Sequence, residues 1–86
     1  MISIKVTIGA SATPTTSQDL YASVLIVKPS GTDYIGGPGV TAATGVPLPS
    51  SALVIPCSSP RGIALKDTYF VGTQNDTVVC AYEPSA

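Results

Sequence analysis

Side chains that carry out chemistry in enzymes are sparse in this sequence, and histidine is absent. Without histidine the chain cannot form a Ser-His-Asp or Cys-His catalytic site, nor a metal site with imidazole ligands. No D-x-D-x-D-G calcium loop is present, and Asp19, Asp33 and Asp76 lie beside turn residues, where Asp commonly caps peptide amides. The residue types therefore predict neither an enzyme nor a bound metal or cofactor.

One glycine-rich segment has the letters of a nucleotide-binding motif. Residues 37–42, GPGVTA, match the G-x-G-x-x-A dinucleotide fingerprint. That fingerprint depends on a helix whose first peptide N–H groups bind the pyrophosphate. Because Pro38 removes an N–H group and no amphipathic helix pattern follows, we interpret the segment as a glycine-rich turn.

The two cysteines, Cys57 and Cys80, allow two interpretations. They are either two free, partly buried thiols, which we favour, or one disulfide bridge contributing roughly 3 kcal/mol to stability. Cys80 lies in the apolar run Thr77 to Tyr82, which indicates that its thiol is buried. Two cysteines without histidine do not form a zinc site.

The composition indicates a structural subunit. The chain has 86 residues, of which 10% are charged and 44% hydrophobic, and its net charge is -1. Soluble domains usually contain roughly 25% charged residues. The basic side chains do not cluster, which gives no reason to expect nucleic acid or an anionic membrane as a partner. We expect the apolar surface of such a chain to be covered by neighbouring subunits.

Alternating apolar and polar residues predict β-strands along most of the chain. Residues 20–28 form the strongest strand pattern, and their continuous apolar centre indicates burial on both faces, or burial on one face and a subunit contact on the other. Residues 68–73 and 77–83 predict a closing hairpin. We expect residues 1–86 to form a single all-β domain, a small β-sandwich or barrel of about six to eight short strands.

The first eight residues form an alternating strand with two open interpretations. Its apolar face could fill the core of the subunit, or the strand could be an arm that adds to the edge of a neighbour's sheet. The apolar face consists of Ile2, Ile4, Val6 and Ile8.

Residues 36–51 are predicted to form an ordered loop. Four glycines and three prolines in this segment exclude a regular helix or a central strand. The apolar anchors of the loop are expected to be Val40, Val46 and Leu48. Its course is expected to be set by Gly36, Gly37, Gly39 and Gly45.

The order of residues around this loop resembles a known family. The pattern consists, in chain order, of Tyr34-Ile35-Gly36-Gly37, Val40-Thr41, Gly45, Pro47-Leu48-Pro49, a D-x-Y-F-V-G-T segment from Asp67 to Thr73, and Asp76-Thr77-Val78-Val79. Over roughly residues 20–82 the chain resembles small β-rich structural proteins of tailed bacteriophages, described as head decoration, cement or head-fibre proteins. Its cysteines and its proline-rich stretches depart from the commonest form, so the loop geometry is not carried over.

The resemblance implies a non-enzymatic virion protein that is made in the host cytoplasm. It implies a homotrimer on the outer capsid surface that binds the major capsid protein and stabilises the shell. Tyr34, the 36–51 loop and the first strand are then candidates for structural or interface roles. One alternative is a tail, baseplate or adsorption component. Another is a small ligand-binding or glycan-binding β-barrel, for which Tyr34 beside Asp33 is the single hint.

Overall fold

Two antiparallel β-sheets make up the fold in the computed structural model, which describes residues 1–56 and 61–84. The nine strands are β1 (Ile2–Thr7), β2 (Thr13–Pro14), β3 (Tyr21–Pro29), β4 (Asp33–Gly36), β5 (Val46–Pro47), β6 (Leu53–Pro56), β7 (Ile63–Ala64), β8 (Tyr69–Gly72) and β9 (Thr77–Pro84). The predicted all-β fold is confirmed. The structure has nine strands among its described residues rather than the predicted six to eight. The difference arises because β2, β5 and β7 have only two residues each, and an alternating pattern cannot reveal a strand that short.

The strand order is that of a jelly roll. The first sheet has the order β1-β9-β3-β6, with β7 also paired to β3, and the second sheet has the order β2-β8-β4-β5. When β7 is left out, the remaining eight strands follow the double Greek-key order of a jelly-roll sandwich. The fold is therefore a sandwich of two sheets and not a closed barrel, which was the other architecture predicted.

The predicted closing hairpin is wrong in its pairing. β8 pairs with β2 and β4 in the second sheet, whereas β9 pairs with β1 and β3 in the first sheet. The connection at residues 73–76 therefore crosses from one sheet to the other. Its Asn75 adopts a left-handed conformation with φ 72°, which Asn tolerates better than most residues. Two strands joined by a short turn can stack face to face as well as pair edge to edge, and alternation does not distinguish these arrangements.

The core lies between the inner faces of the two sheets. Leu25 and Val27 of β3, Val78 and Cys80 of β9, and Phe70 of β8 are fully buried there. On each strand the buried residues alternate with more exposed ones, as expected when one sheet face packs and the other faces solvent.

Strand β1 belongs to the chain's own sheet. It pairs with β9 in a register that places Ile4 opposite Cys80. Val6 and the following Ile8 are buried in the core, Ile4 packs against it, and Ile2 is 43% exposed. This placement agrees with the core-filling interpretation. The opposite edge of β1 has no strand partner among the described residues, so the arm interpretation stays a prediction.

The 36–51 loop has the predicted anchors with one exception. Val40 and Leu48 are buried, but Val46 is 61% exposed. Val46 lies on β5, which pairs with β4 at the edge of the second sheet, so its side chain has no covering layer. The prediction that Val46 anchors the loop is therefore wrong.

The loop glycines do not all have the same role. Gly39 has a left-handed φ of 78°, which favours glycine. A Cβ at Gly36 would lie 2.5 Å from Val40 Cγ2, and one at Gly45 would lie 2.7 Å from Tyr34 Cβ, both too close. Gly37 has no atom within 4 Å of such a position. The structure therefore gives a steric reason for three of the four predicted glycines.

Cys80 is a free thiol, fully buried on β9, and Cys57 lies outside the described residues. Burial raises the pKa of the Cys80 thiol from 9.0 to about 11, which keeps it protonated and unreactive near neutral pH. We expect a Cys57→Ser variant to react with a thiol reagent by much less than one equivalent when folded, and by a full equivalent in denaturant. Rapid labelling of the folded variant would contradict this. In the wild type, two reactive thiols in denaturant without reductant would exclude the disulfide bridge.

Candidate interaction surface

The outer face of the first sheet carries a stripe of apolar side chains across its central strands. The register places Ala81 of β9 opposite Ile26 of β3, and Ile26 opposite Val54 of β6. These residues alternate with the buried ones, so their side chains point away from the core. Val54 is 57% exposed. The sheet therefore presents apolar surface where an isolated domain would present polar residues.

The neighbouring rows of residues extend this stripe and place charge beside it. On one side Val79, which is 46% exposed, lies opposite Lys5 and Lys28. On the other side Glu83 lies opposite Val24, which in turn lies opposite Pro56. We define the outer-face patch as Val24, Ile26, Val54, Pro56, Val79 and Ala81. The patch is thus an apolar surface with two lysines along one margin.

The apolar run in β3 supplies part of the outer-face patch, namely Val24 and Ile26. Leu25 and Val27 point into the core, whereas Val24 and Ile26 are half-buried on the outer face. Of the two expectations from the sequence, burial on both faces does not fit this strand, and the other, burial on one face with a subunit contact on the other, stays a prediction for its contact. The rest of the patch comes from β6 and β9, which adjoin β3 on either side.

The outer face of the second sheet differs because the 36–51 loop lies against it. Val71 of β8 is buried although it lies opposite Tyr34, on the outward side of β4. Val40 of the loop is buried as well, and Gly45 lies close to the Tyr34 side chain. The first sheet therefore offers the more exposed apolar face of the two.

A groove of about 470 Å³ lies at the end of the sandwich where β1, β3 and β9 come together. Tyr21, Arg61 and Tyr82 are among its lining residues. The Arg61 guanidinium lies 5.4 Å from the centre of the Tyr21 ring, and its Nη1 donates to the Tyr21 hydroxyl at 3.4 Å. Because Arg61 lies over one face of Tyr21 and Tyr82 is buried, the groove offers little aromatic surface on which a sugar ring could stack.

The hint of a glycan site at Tyr34 and Asp33 is not supported by the geometry. These adjacent residues of β4 point to opposite faces of the second sheet. Asp33 is 1% exposed and faces inward, whereas Tyr34 is half-buried beneath the loop. Neither carboxyl oxygen accepts a short, well-aligned hydrogen bond among the described residues, but the peptide groups of Gly31 and Thr73 face the carboxyl group, so the interpretation of Asp33 as an amide cap stays a prediction.

Among residues 1–56 and 61–84, the structure shows neither a cluster of metal ligands nor a membrane-spanning helix. Within these ranges no three Cys, Asp or Glu side chains come together as metal ligands. No helix there is long and apolar enough to cross a membrane.

Comparison with known proteins gives no relative for this chain. It matches no family model, no curated protein and no solved structure. The resemblance to phage decoration proteins, and everything it implies, therefore remains a prediction.

Proposed function

We propose that this protein is a structural subunit of a virus particle, a decoration or cement protein that binds the outer surface of the major capsid protein and stabilises the shell. The observation that carries the proposal is the outer-face patch. Contiguous exposed apolar surface on a soluble domain marks an interaction site. The jelly-roll topology agrees with the proposal, since viral capsid domains use it, but lectin domains use it too.

The chemistry of the patch favours a protein partner. Its central residues, Ile26, Val54 and Ala81, are aliphatic and lie on paired strands of a sheet, so they present a broad surface rather than a pocket for a small ligand. Lys5 and Lys28 along its margin fit a partner that carries carboxylates beside an apolar area. Many copies bound over a shell stabilise it through repeated contacts even when each contact is weak.

Self-association into a homotrimer is part of the proposal. The low charge of the chain supports it, and so does the exposed apolar surface at Met1 and Ile2, next to the edge of β1 that has no strand partner in the described part of the chain. The molar mass of the purified protein by light scattering tests it. A monomer at all concentrations would contradict the trimer and leave the capsid contact to be tested by itself.

Replacing Val54 with Asp is expected to weaken binding to particles that lack this protein by about tenfold or more, because a charge is then buried in the contact. Binding is measured by co-sedimentation with the particles. The matched control is Val46→Asp, since Val46 is equally exposed but lies at the edge of the other sheet. Circular dichroism confirms that both variants are folded.

The possible outcomes separate the alternatives. If Val46→Asp abolishes binding and Val54→Asp does not, the contact lies on the 36–51 loop and not on the patch. Mass spectrometry of separated heads and tails addresses location. Detection of the protein in tails alone would overturn the decoration assignment in favour of a tail or baseplate component.

A further inference from the structure

The carboxyl group of Asp33 is buried at one end of the sandwich, beside the turns at residues 30–32 and 73–76. The residue is 1% exposed, and neither Oδ1 nor Oδ2 accepts a short, well-aligned hydrogen bond among the described residues. The side chain lies against the Cα of Gly72, its neighbour across the sheet. Burying an ionised carboxylate without a partner is very unfavourable. The peptide groups of Gly31 and Thr73 that face the carboxyl group offset only part of this cost, so its charged form is disfavoured and a second titratable group can act on it.

The Asp76 carboxyl group is that second group. It belongs to the turn at residues 73–76, which contacts the turn at residues 30–32, since a Cβ at Gly31 would lie 2.7 Å from Asp76 Oδ2. Burial and the adjacent Asp76 carboxyl raise the pKa of Asp33 from 3.8 to about 6. Both carboxyl groups therefore meet where the two turns touch.

Main-chain hydrogen bonds hold the two turns in this position. The Ser30 N–H donates to the Thr77 carbonyl at 2.9 Å, and the Thr77 N–H donates to Ser30 Oγ at 2.9 Å. The Ile8 N–H donates to the Asp76 carbonyl at 2.8 Å. The carboxyl groups therefore cannot move far apart unless these bonds break.

The surroundings offer no positive charge to either carboxyl group. Among residues 1–56 and 61–84, no Lys or Arg forms an ion pair with Asp33 or Asp76. The peptide groups of Gly31 and Thr73 face Asp33 and favour its charged form, but less strongly than burial and Asp76 oppose it. Asp76 is thus the titratable neighbour that acts on Asp33.

We propose that Asp33 and Asp76 share one proton, and that this proton forms a pH-sensitive latch between the turns at residues 30–32 and 73–76. Protonated Asp33 donates its O–H to the Asp76 carboxylate. When the proton is lost, two negative charges remain side by side in a poorly solvated place, and their repulsion separates the turns. The latch does not depend on the proposed function.

The test compares thermal unfolding at about pH 5 and about pH 7.5. The folded state holds the proton more tightly than the unfolded chain, so stability falls as the pH rises from about 4 to about 6 and beyond. We expect the melting temperature of the wild type to be about 5–15 °C lower at the higher pH. Asp33→Asn and Asp76→Asn should each abolish most of this difference. The control, Asp67→Asn, changes an exposed acid outside the pair and should preserve it.

Two results of the melting experiments would overturn the latch. If Asp76→Asn keeps the full pH response, Asp33 titrates alone. If calcium restores the melting temperature of the wild type at about pH 7.5 but not that of Asp76→Asn, the pair binds a cation instead of a proton. Where an Asn variant does not fold, hydrogen exchange of the wild type decides. Protection factors of residues 30–32 and 73–76 should fall with rising pH, and unchanged protection would contradict the proposal.

Discussion

Replacing Phe70 with Ala is expected to lower the free energy of unfolding by about 3–5 kcal/mol. Phe70 is fully buried, with 0% of its surface exposed, and its side chain is the largest of the fully buried ones. It projects from β8 into the space between the sheets, where its removal leaves a cavity that the paired strands cannot collapse to fill. Because the unfolding free energy of a folded domain is only about 5–15 kcal/mol, we expect this substitution to remove a large part of the stability of the protein.

Urea unfolding followed by circular dichroism measures this effect. Val54→Ala is the control, because it also shortens an aliphatic side chain but at a position 57% exposed on the outer face. Its expected effect is about 0.5 kcal/mol or less. Equal losses in the two variants would show that β8 does not supply the centre of the core.

Replacing Gly72 with Ala is expected to cost about 2–3 kcal/mol. The new Cβ would collide with the Asp33 carboxyl group, which lies directly against the Gly72 Cα. Neither partner can withdraw easily, since Asp33 and Gly72 are paired across β4 and β8 and the Gly72 N–H donates to the Gly9 carbonyl at 3.0 Å.

A double-mutant cycle tests this contact. In an Asp33→Ala background the collision is absent, so Gly72→Ala should cost at least 1 kcal/mol less than in the wild type, within the usual range of coupling energies of about 0.5–3 kcal/mol. Gly37→Ala is the matched control, because no atom lies within 4 Å of the added Cβ. Additive effects of the two substitutions would refute the close approach of Asp33 to Gly72.

The sequence was a good guide to the long strands and a poor guide to their neighbours. β1, β3 and β9 are long enough for alternation to show which residues face the core. β2, β5 and β7 have two residues each, so only tertiary pairing defines them. The hairpin prediction failed for a related reason, since alternation identifies the buried face of a strand but not the sheet to which it belongs.

The candidate surface could be predicted only in part. The apolar run of β3 left open either burial or a subunit contact on its second face, and Val54 and Val79 join that face only because β6 and β9 flank β3. The burial of Asp33 had no sequence signal. Turns favour Asp because its side chain hydrogen-bonds nearby backbone groups. Here the residue also faces inward, because it occupies the first position of β4, in step with Ile35 two positions later, which packs against the core.

The position of β9 between β1 and β3 has a consequence for how the chain acquires its structure. β9 is the last of the nine strands to leave the ribosome, yet both neighbours need it to complete their hydrogen bonding. Until it is made, β1 has no partner in the sheet and one side of β3 is open, and unpaired strand edges of this kind invite association between chains. The first sheet therefore cannot be completed during synthesis of the earlier strands, although β3 can already pair with β6 and β7. Completion of the first sheet waits for the ninth strand.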